Sequence, residues 1–198
     1  MMAYLDTVSS AAPPHGGAYN TSPVRIGVAL EDRARRIVAW RVFLIDPPGG
    51  TFLDQAWMDR YGVTCGFPDP DAESAVAVGL QLSVLLASAG FVVSHFPTFH
   101  MKQLGQLIEI NPHWVTADTC KLSQVDCAIP AKIGRAFKAP KLTEALEHYT
   151  GAPLDIAGMG WLDAGLAFLN ATRCVYWGSQ RLGIPPDPIG TQPQGWDL

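Results

Sequence analysis

The first place in this 198-residue chain where a side chain could do chemistry is Asp6. The stretch Met2-Ala3-Tyr4-Leu5-Asp6-Thr7-Val8-Ser9-Ser10 runs apolar up to a carboxylate and then turns small and polar. A buried strand that delivers an Asp at its carboxyl end can present a metal ligand or a catalytic acid. The simpler use of the same residue is to cap the following loop. Basic residues gather twice, as Arg33, Arg35 and Arg36 and as Lys132, Arg135, Lys138 and Lys141, and either group could meet phosphate. The first group also reads as a solvated hairpin tip, and the second as an ordinary surface loop. Cys65, Cys120, Cys127 and Cys174 form no Cys-x-x-Cys pair and no zinc spacing, so they read as free thiols. At the far end, Gln194-Gly195-Trp196-Asp197-Leu198 is a Gln-x-aromatic-x-Leu ending on a Pro-rich tether, suited to a partner's apolar groove or left disordered.

Composition sets the frame for those groups. With 48% apolar and 16% charged residues, the chain is globular and long enough for one full core. A net charge of −4 argues against strong non-specific nucleic-acid binding while leaving room for a local basic strip. No basic leader precedes an apolar stretch, and Ala75 to Ala89 is too short and too interrupted to span a bilayer. A cytoplasmic protein without membrane contact is expected.

The elements that must position these residues follow from periodicity. Residues 11–22 are a loop by composition. Val24 to Leu30 and Ile37 to Ile45 are strands joined by a charged turn, so that with the first strand they make an antiparallel meander. Phe52 to Tyr61 reads as a short helix, and Glu73 to Ala89 as a longer one capped by Asp71. Phe91 to His95 is a short buried strand. Trp114 to Thr119 is a strand running into a helix that Asp118 caps, and Lys141 to Thr150 is an amphipathic helix stopped by Gly151. Trp40, Trp57, Trp161 and Trp177 read as core or groove-lining residues. After Leu182 the segment Gly183 to Leu198 holds four prolines and little core character. The expected organisation is a domain over 1–182 and a tail over 183–198.

Five of these segments, in order, resemble the motifs of the DEDDh-type 3′–5′ exonucleases, the proofreading-exonuclease family of the RNase H-like superfamily. Asp6-Thr7 matches a first motif reading Asp-Thr-Glu-Thr-Thr-Gly, with Val8 at the Glu position. Gly62-Val63-Thr64 matches the tripeptide that follows the meander. His95 and Phe99 match apolar-apolar-Ala-His-Asn-x-x-Phe-Asp, with Phe96 for the Asn and His100 for the Asp. The helix ending at Gly151 matches the next motif. In the ungapped register of the last motif, Gly158 takes the place of the general-base His and Asp163 that of the final Asp. A shifted register would set Phe168 on that Asp; the ungapped one keeps both the spacing and a carboxylate.

The resemblance implies an α/β, RNase H-like fold: a mixed five-stranded sheet, an antiparallel meander of three plus parallel strands, with helices on both faces. In such enzymes two divalent ions activate water and stabilise the leaving oxygen, held by four carboxylates beside a His base. Here the remnant site is Asp6, His100 and Asp163, with Val8 and Gly158 at lost positions. The implied cofactor is one divalent metal, Mg²⁺ or Mn²⁺, on Asp6, His100 and Asp163, or none, with His100 then hydrogen-bonding Asp6 or Asp163. His95 holds a neighbouring loop. Lys132, Arg135, Lys138 and Lys141 flank the cleft and would meet single-stranded nucleic acid or its 3′ end, while the tail would meet a protein. The first functional reading is a catalytically impaired exonuclease-fold protein acting by binding; the alternative is a divergent metal-dependent nuclease or phosphodiesterase on the reduced site.

Overall fold

Strand β1 (Met2–Ser9) is buried along nearly its whole length, the mark of a strand with neighbours on both edges and layers on both faces. The computed structural model describes residues 1–12, 21–132, 136–185 and 187–190. On one edge of β1 lies β2 (Pro23–Glu31), antiparallel, and beyond it β3 (Ile37–Asp46), also antiparallel. A two-residue strand, β4 (Glu73–Ser74), runs parallel to the end of β3. The other edge of β1 takes β5 (Phe91–Ser94) and then β6 (Val115–Asp118), both parallel. The order is β4-β3-β2-β1-β5-β6. The mixed α/β fold is as anticipated, with six strands in place of five because β4 extends the outer edge of the meander.

That extension also corrects a helix start. Glu73 and Ser74 remain extended, so α2 spans Ala75–Leu86 and its cap is Ser74, whose Oγ accepts from the Ala77 amide at 3.2 Å, in place of Asp71. Before it, α1 (Gln55–Asp59) is capped by Asp54. The remaining helices are α3 (Pro97–Leu104), α4 (Thr119–Cys127), α5 (Leu142–Thr150) and α6 (Trp161–Ser179). Asp118 caps α4 as its position suggested, and Gly151 ends α5 with φ +78°.

Alternation along the meander divides the core. Ala3, Leu5, Val28 and Phe43 face α2 through Val78, Leu82 and Leu85. Tyr4, Ala29, Trp40 and Val42 face α6 through Leu169. A smaller cluster of Val8, Val24, Leu44, Met58 and Val63 seals the end of the sheet beside α1.

Two polar devices fasten α6. Glu31, 1% exposed, accepts from the Arg173 Nε, from the Tyr4 hydroxyl at 3.1 Å and from the Trp177 Nε1 at 3.0 Å. The Asn170 side chain holds the backbone of Ile189, accepting from its amide at 2.6 Å and donating to its carbonyl at 3.1 Å. Ile189 is 4% exposed in the α6-side cluster, so core character continues past Leu182, contrary to the composition of that stretch. Residues 191–198, with the Gln194–Leu198 ending, lie outside the described residues.

The glycine of Gly62-Val63-Thr64 has a physical reason. Its φ is +77°, and a Cβ there would sit 2.3 Å from the Ala164 Cβ of α6. Gly62→Ala is expected to cost about 2–4 kcal/mol, from overpacking plus a left-handed backbone. Gly66→Ala, with open space around it, should change the urea midpoint little. Equal midpoints for the two variants would overturn the packing argument.

Candidate functional site

Asp6 shares the α6 face of β1 with Tyr4 and Val8. The β1–β2 register sets Gly27 opposite Asp6 and Arg25 opposite Val8, which makes Arg25 the diagonal neighbour of Asp6 on that face. Arg25 Nη2 donates to Asp6 Oδ2 at 3.0 Å, with side chains 0% and 10% exposed respectively. Nη1 donates to the Tyr61 carbonyl. The Phe168 ring lies 5.2 Å from the guanidinium carbon, and Tyr61 packs on Phe168 at 5.8 Å between centroids. Burial pulls the Arg25 pKa down while Asp6 pushes it back up; a guanidinium so placed stays charged.

Arg25, the partner of Asp6, is the site residue that the sequence pattern did not single out. Its signal was a lone arginine between Val24 and Ile26 in a buried strand, because a fully buried Arg needs an acid. Only the strand register names which acid.

The other positions separate. Val8, at the motif Glu position, is 2% exposed in the apolar cluster with Val24, Leu44, Met58 and Val63. His100 comes close to Asp6 but bonds its neighbour: the Thr7 amide donates to Nδ1 at 2.9 Å, and the Thr7 hydroxyl lies 2.8 Å from the same nitrogen. This happens because β5 pairs with β1 only as far as Tyr4, leaving the Thr7 amide for α3 to satisfy. The expectation of a bond from His100 to Asp6 or Asp163 is therefore corrected.

Asp163 does not join Asp6 and His100. It stands exposed in the first turn of α6, and the charges acting on His100 come from Asp6, Arg25 and Asp118. The inward face of α6 includes Ala164, Gly165, Phe168 and Leu169, so Phe168, the residue of the shifted register, turns toward the sheet and Asp163, the residue of the ungapped one, does not. Gly158 lies in the turn before α6, with φ +74°. Gly158 itself is exposed. Among the described residues, no three His, Cys, Asp or Glu side chains group as a metal site.

His95 holds the neighbouring loop as anticipated. Its Nε2 donates to the Pro140 carbonyl at 3.0 Å, and Nδ1 faces the Thr119 hydroxyl at 2.9 Å. Burial drives its pKa down to about 4. Of the basic stretch, Lys138 is paired with Glu144 at 2.6 Å, Lys132 and Lys141 are exposed, and Arg135 lies outside the described residues. At the hairpin tip, Arg36 pairs with Asp32, while Arg35 donates to the carbonyls of Leu182 and Gly183 and lies over Trp177. Two of those three arginines thus serve the fold.

This donor set does not fit the divalent pair that the resemblance implies. Hard cations want several oxygens at short range. Here the Asp6 Oδ2 is bonded to a guanidinium, and the next ligand position is a valine in an apolar cluster.

The chain has the exonuclease I fold, an RNase H-like arrangement, as comparison with solved structures establishes. The structure of E. coli exonuclease I in complex with a dT13 oligonucleotide superposes with a TM-score of 0.62 at 14% identity, covering 93% of this chain and 41% of that one. A zinc-ion-bound form of the E. coli ExoI–ssDNA complex gives 0.60 at 13% identity over 92% and 39%. An ExoI/SSB-Ct complex gives 0.59 at 13% over 91% and 42%. The chain thus spans about two-fifths of the length of these proteins. No family model and no curated protein sequence matches it. No described helix is long and apolar enough to cross a membrane.

Proposed function

We propose that this protein uses an exonuclease fold to bind single-stranded nucleic acid near a 3′ end without two-metal hydrolysis. The observation that carries the reading is Val8: the position that should supply a second carboxylate beside Asp6 is packed among Val24, Leu44, Met58 and Val63. A two-metal mechanism divides its work between the ion that activates water and the ion that receives the leaving oxygen. With one carboxylate occupied and the other replaced by a core residue, neither ion has a cradle.

Support for binding comes from the fold: its solved relatives include complexes with oligonucleotides and with SSB-Ct. Lys132 and Lys141, with Arg135 between them in sequence, are the cations proposed to follow a phosphate backbone. A protein partner, taken through the C-terminal residues, is the accessory form of the same proposal.

The test is a 3′-labelled single-stranded oligonucleotide offered with Mg²⁺ and then Mn²⁺, beside Asp6→Ala, with anisotropy read across a salt series. The expected result is retention that weakens as salt rises, by a slope of ~0.7 per phosphate neutralised, and intact label in both metals. Cleavage that disappears in Asp6→Ala would instead establish the divergent nuclease. Neither retention nor cleavage from folded protein would leave a role in protein interaction alone.

A further inference from the structure

We infer that Arg25 is a built-in replacement for a bound cation: its guanidinium holds the position and supplies the charge that an ion at Asp6 would supply. The inference rests on Asp6 standing at the first metal-carboxylate position of the exonuclease fold, and is independent of whether the chain binds nucleic acid.

Three observations carry it. A carboxylate 7% exposed must be offset by a positive charge or lose its own, since an isolated buried ion is strongly unfavourable. The group that offsets it comes from the neighbouring strand on the same sheet face, 3.0 Å away, and is itself fully enclosed. That group is also fixed from two further sides, by the Tyr61 carbonyl and by the Phe168 ring. A guanidinium offers donors and no acceptor, so it satisfies the acid while blocking approach of a further cation. Asp6 has thereby changed from a candidate ligand into half of a structural lock, and the fold is indifferent to divalent ions.

Thermal melts of the full-length protein, in EDTA and with added Mn²⁺, test this for the parent, Asp6→Asn, Arg25→Met and the double variant Asp6→Leu/Arg25→Met. The parent should melt at the same temperature in both conditions. Arg25→Met should melt about 10 °C lower, because it strands a buried acid. Mn²⁺ should recover part of that loss in Arg25→Met and none in the double variant. The double variant should be more stable than Arg25→Met, since removing both partners leaves no orphaned charge. A rise in the parent's melting temperature with Mn²⁺ that is lost in Asp6→Asn would overturn the inference, as would parent-like stability of Arg25→Met. If Arg25→Met does not fold, Mn²⁺ titration of the parent by water-proton relaxation decides. Enhancement abolished by Asp6→Asn overturns the inference, and no enhancement supports it. Oligonucleotide retention by the parent is measured separately, so failure of the nucleic-acid proposal is not failure of this one.

Discussion

Glu31→Ala is expected to destabilise the fold by about 3–5 kcal/mol. Glu31 lies at the end of β2, 1% exposed, and Arg173 on α6 is 2% exposed. Truncating the acid leaves a guanidinium enclosed without its counter-charge, and orphans the Tyr4 hydroxyl and the Trp177 indole as well. The burial of Tyr4 and the nearby Glu31 charge both push its pKa up, so the phenol stays protonated and needs an acceptor. For a chain of this length the loss corresponds to a fall of about 10 °C in melting temperature. Urea unfolding of Glu31→Ala, Arg173→Met and Glu31→Leu/Arg173→Met closes the cycle. The double variant should be less damaged than the sum of the singles. Additive singles would mean that the pair is not coupled.

Acid should weaken the protein well before its surface carboxylates titrate. His95 and His100 are both held neutral by burial. The first donates from Nε2 to Pro140, and the second accepts the Thr7 amide at Nδ1. Asp6 and Asp118 pull both pKa values upward, while Arg25 opposes them at His100 and His100 opposes them at His95. Burial is the larger effect at each, leaving His95 at about 4 and His100 below its ordinary value. Above pH ~6.5 neither the folded nor the unfolded chain carries these protons, and the stabilisation is complete. As pH falls below that value, only the unfolded chain takes them up, so stability declines until the folded pKa is reached. For His95 the integrated loss by pH 4 is about 3 kcal/mol. Urea midpoints between pH 7.5 and 4.5 should fall for the parent and fall less for His95→Gln, which retains a donor toward Pro140. A flat parent profile across that window would refute the argument.

How far the sequence disclosed this molecule depended on whether the deciding interaction was local. The cap at Asp118 and the stop at Gly151 are settled by a few adjacent residues and stand where the pattern put them, whereas Asp6, expected at the carboxyl end of its strand, lies inside β1, which runs on to Ser9. The order of motifs carried the fold, because five weak matches in sequence constrain topology more than any one of them. The site was less legible. Arg25 meets Asp6 only through the register of two strands, and residues 19 apart in sequence give no local sign of being partners. Phe168 rather than Asp163 turns toward Arg25, and the sequence offered both registers while spacing and charge favoured the other. The bond from His100 to Thr7 depends on β5 leaving β1 early. Ile189 reads as part of a proline-rich tail until Asn170 is seen to hold its backbone.

The Glu31–Arg173 pair also has a consequence in time. The two residues are 142 positions apart, so at ~5–20 residues per second a ribosome adds the arginine roughly 7–30 s after the glutamate. A β-hairpin forms within microseconds. All three strands of the meander are therefore synthesised, with the acid at the end of β2 still unanswered, for most of the interval in which the protein is made. An ionised carboxylate is costly to bury without its partner, so the α6 face of β2 stays unfavourable to cover at that end until the arginine arrives. The last long helix then closes the sheet and brings the guanidinium that lets the acid be buried.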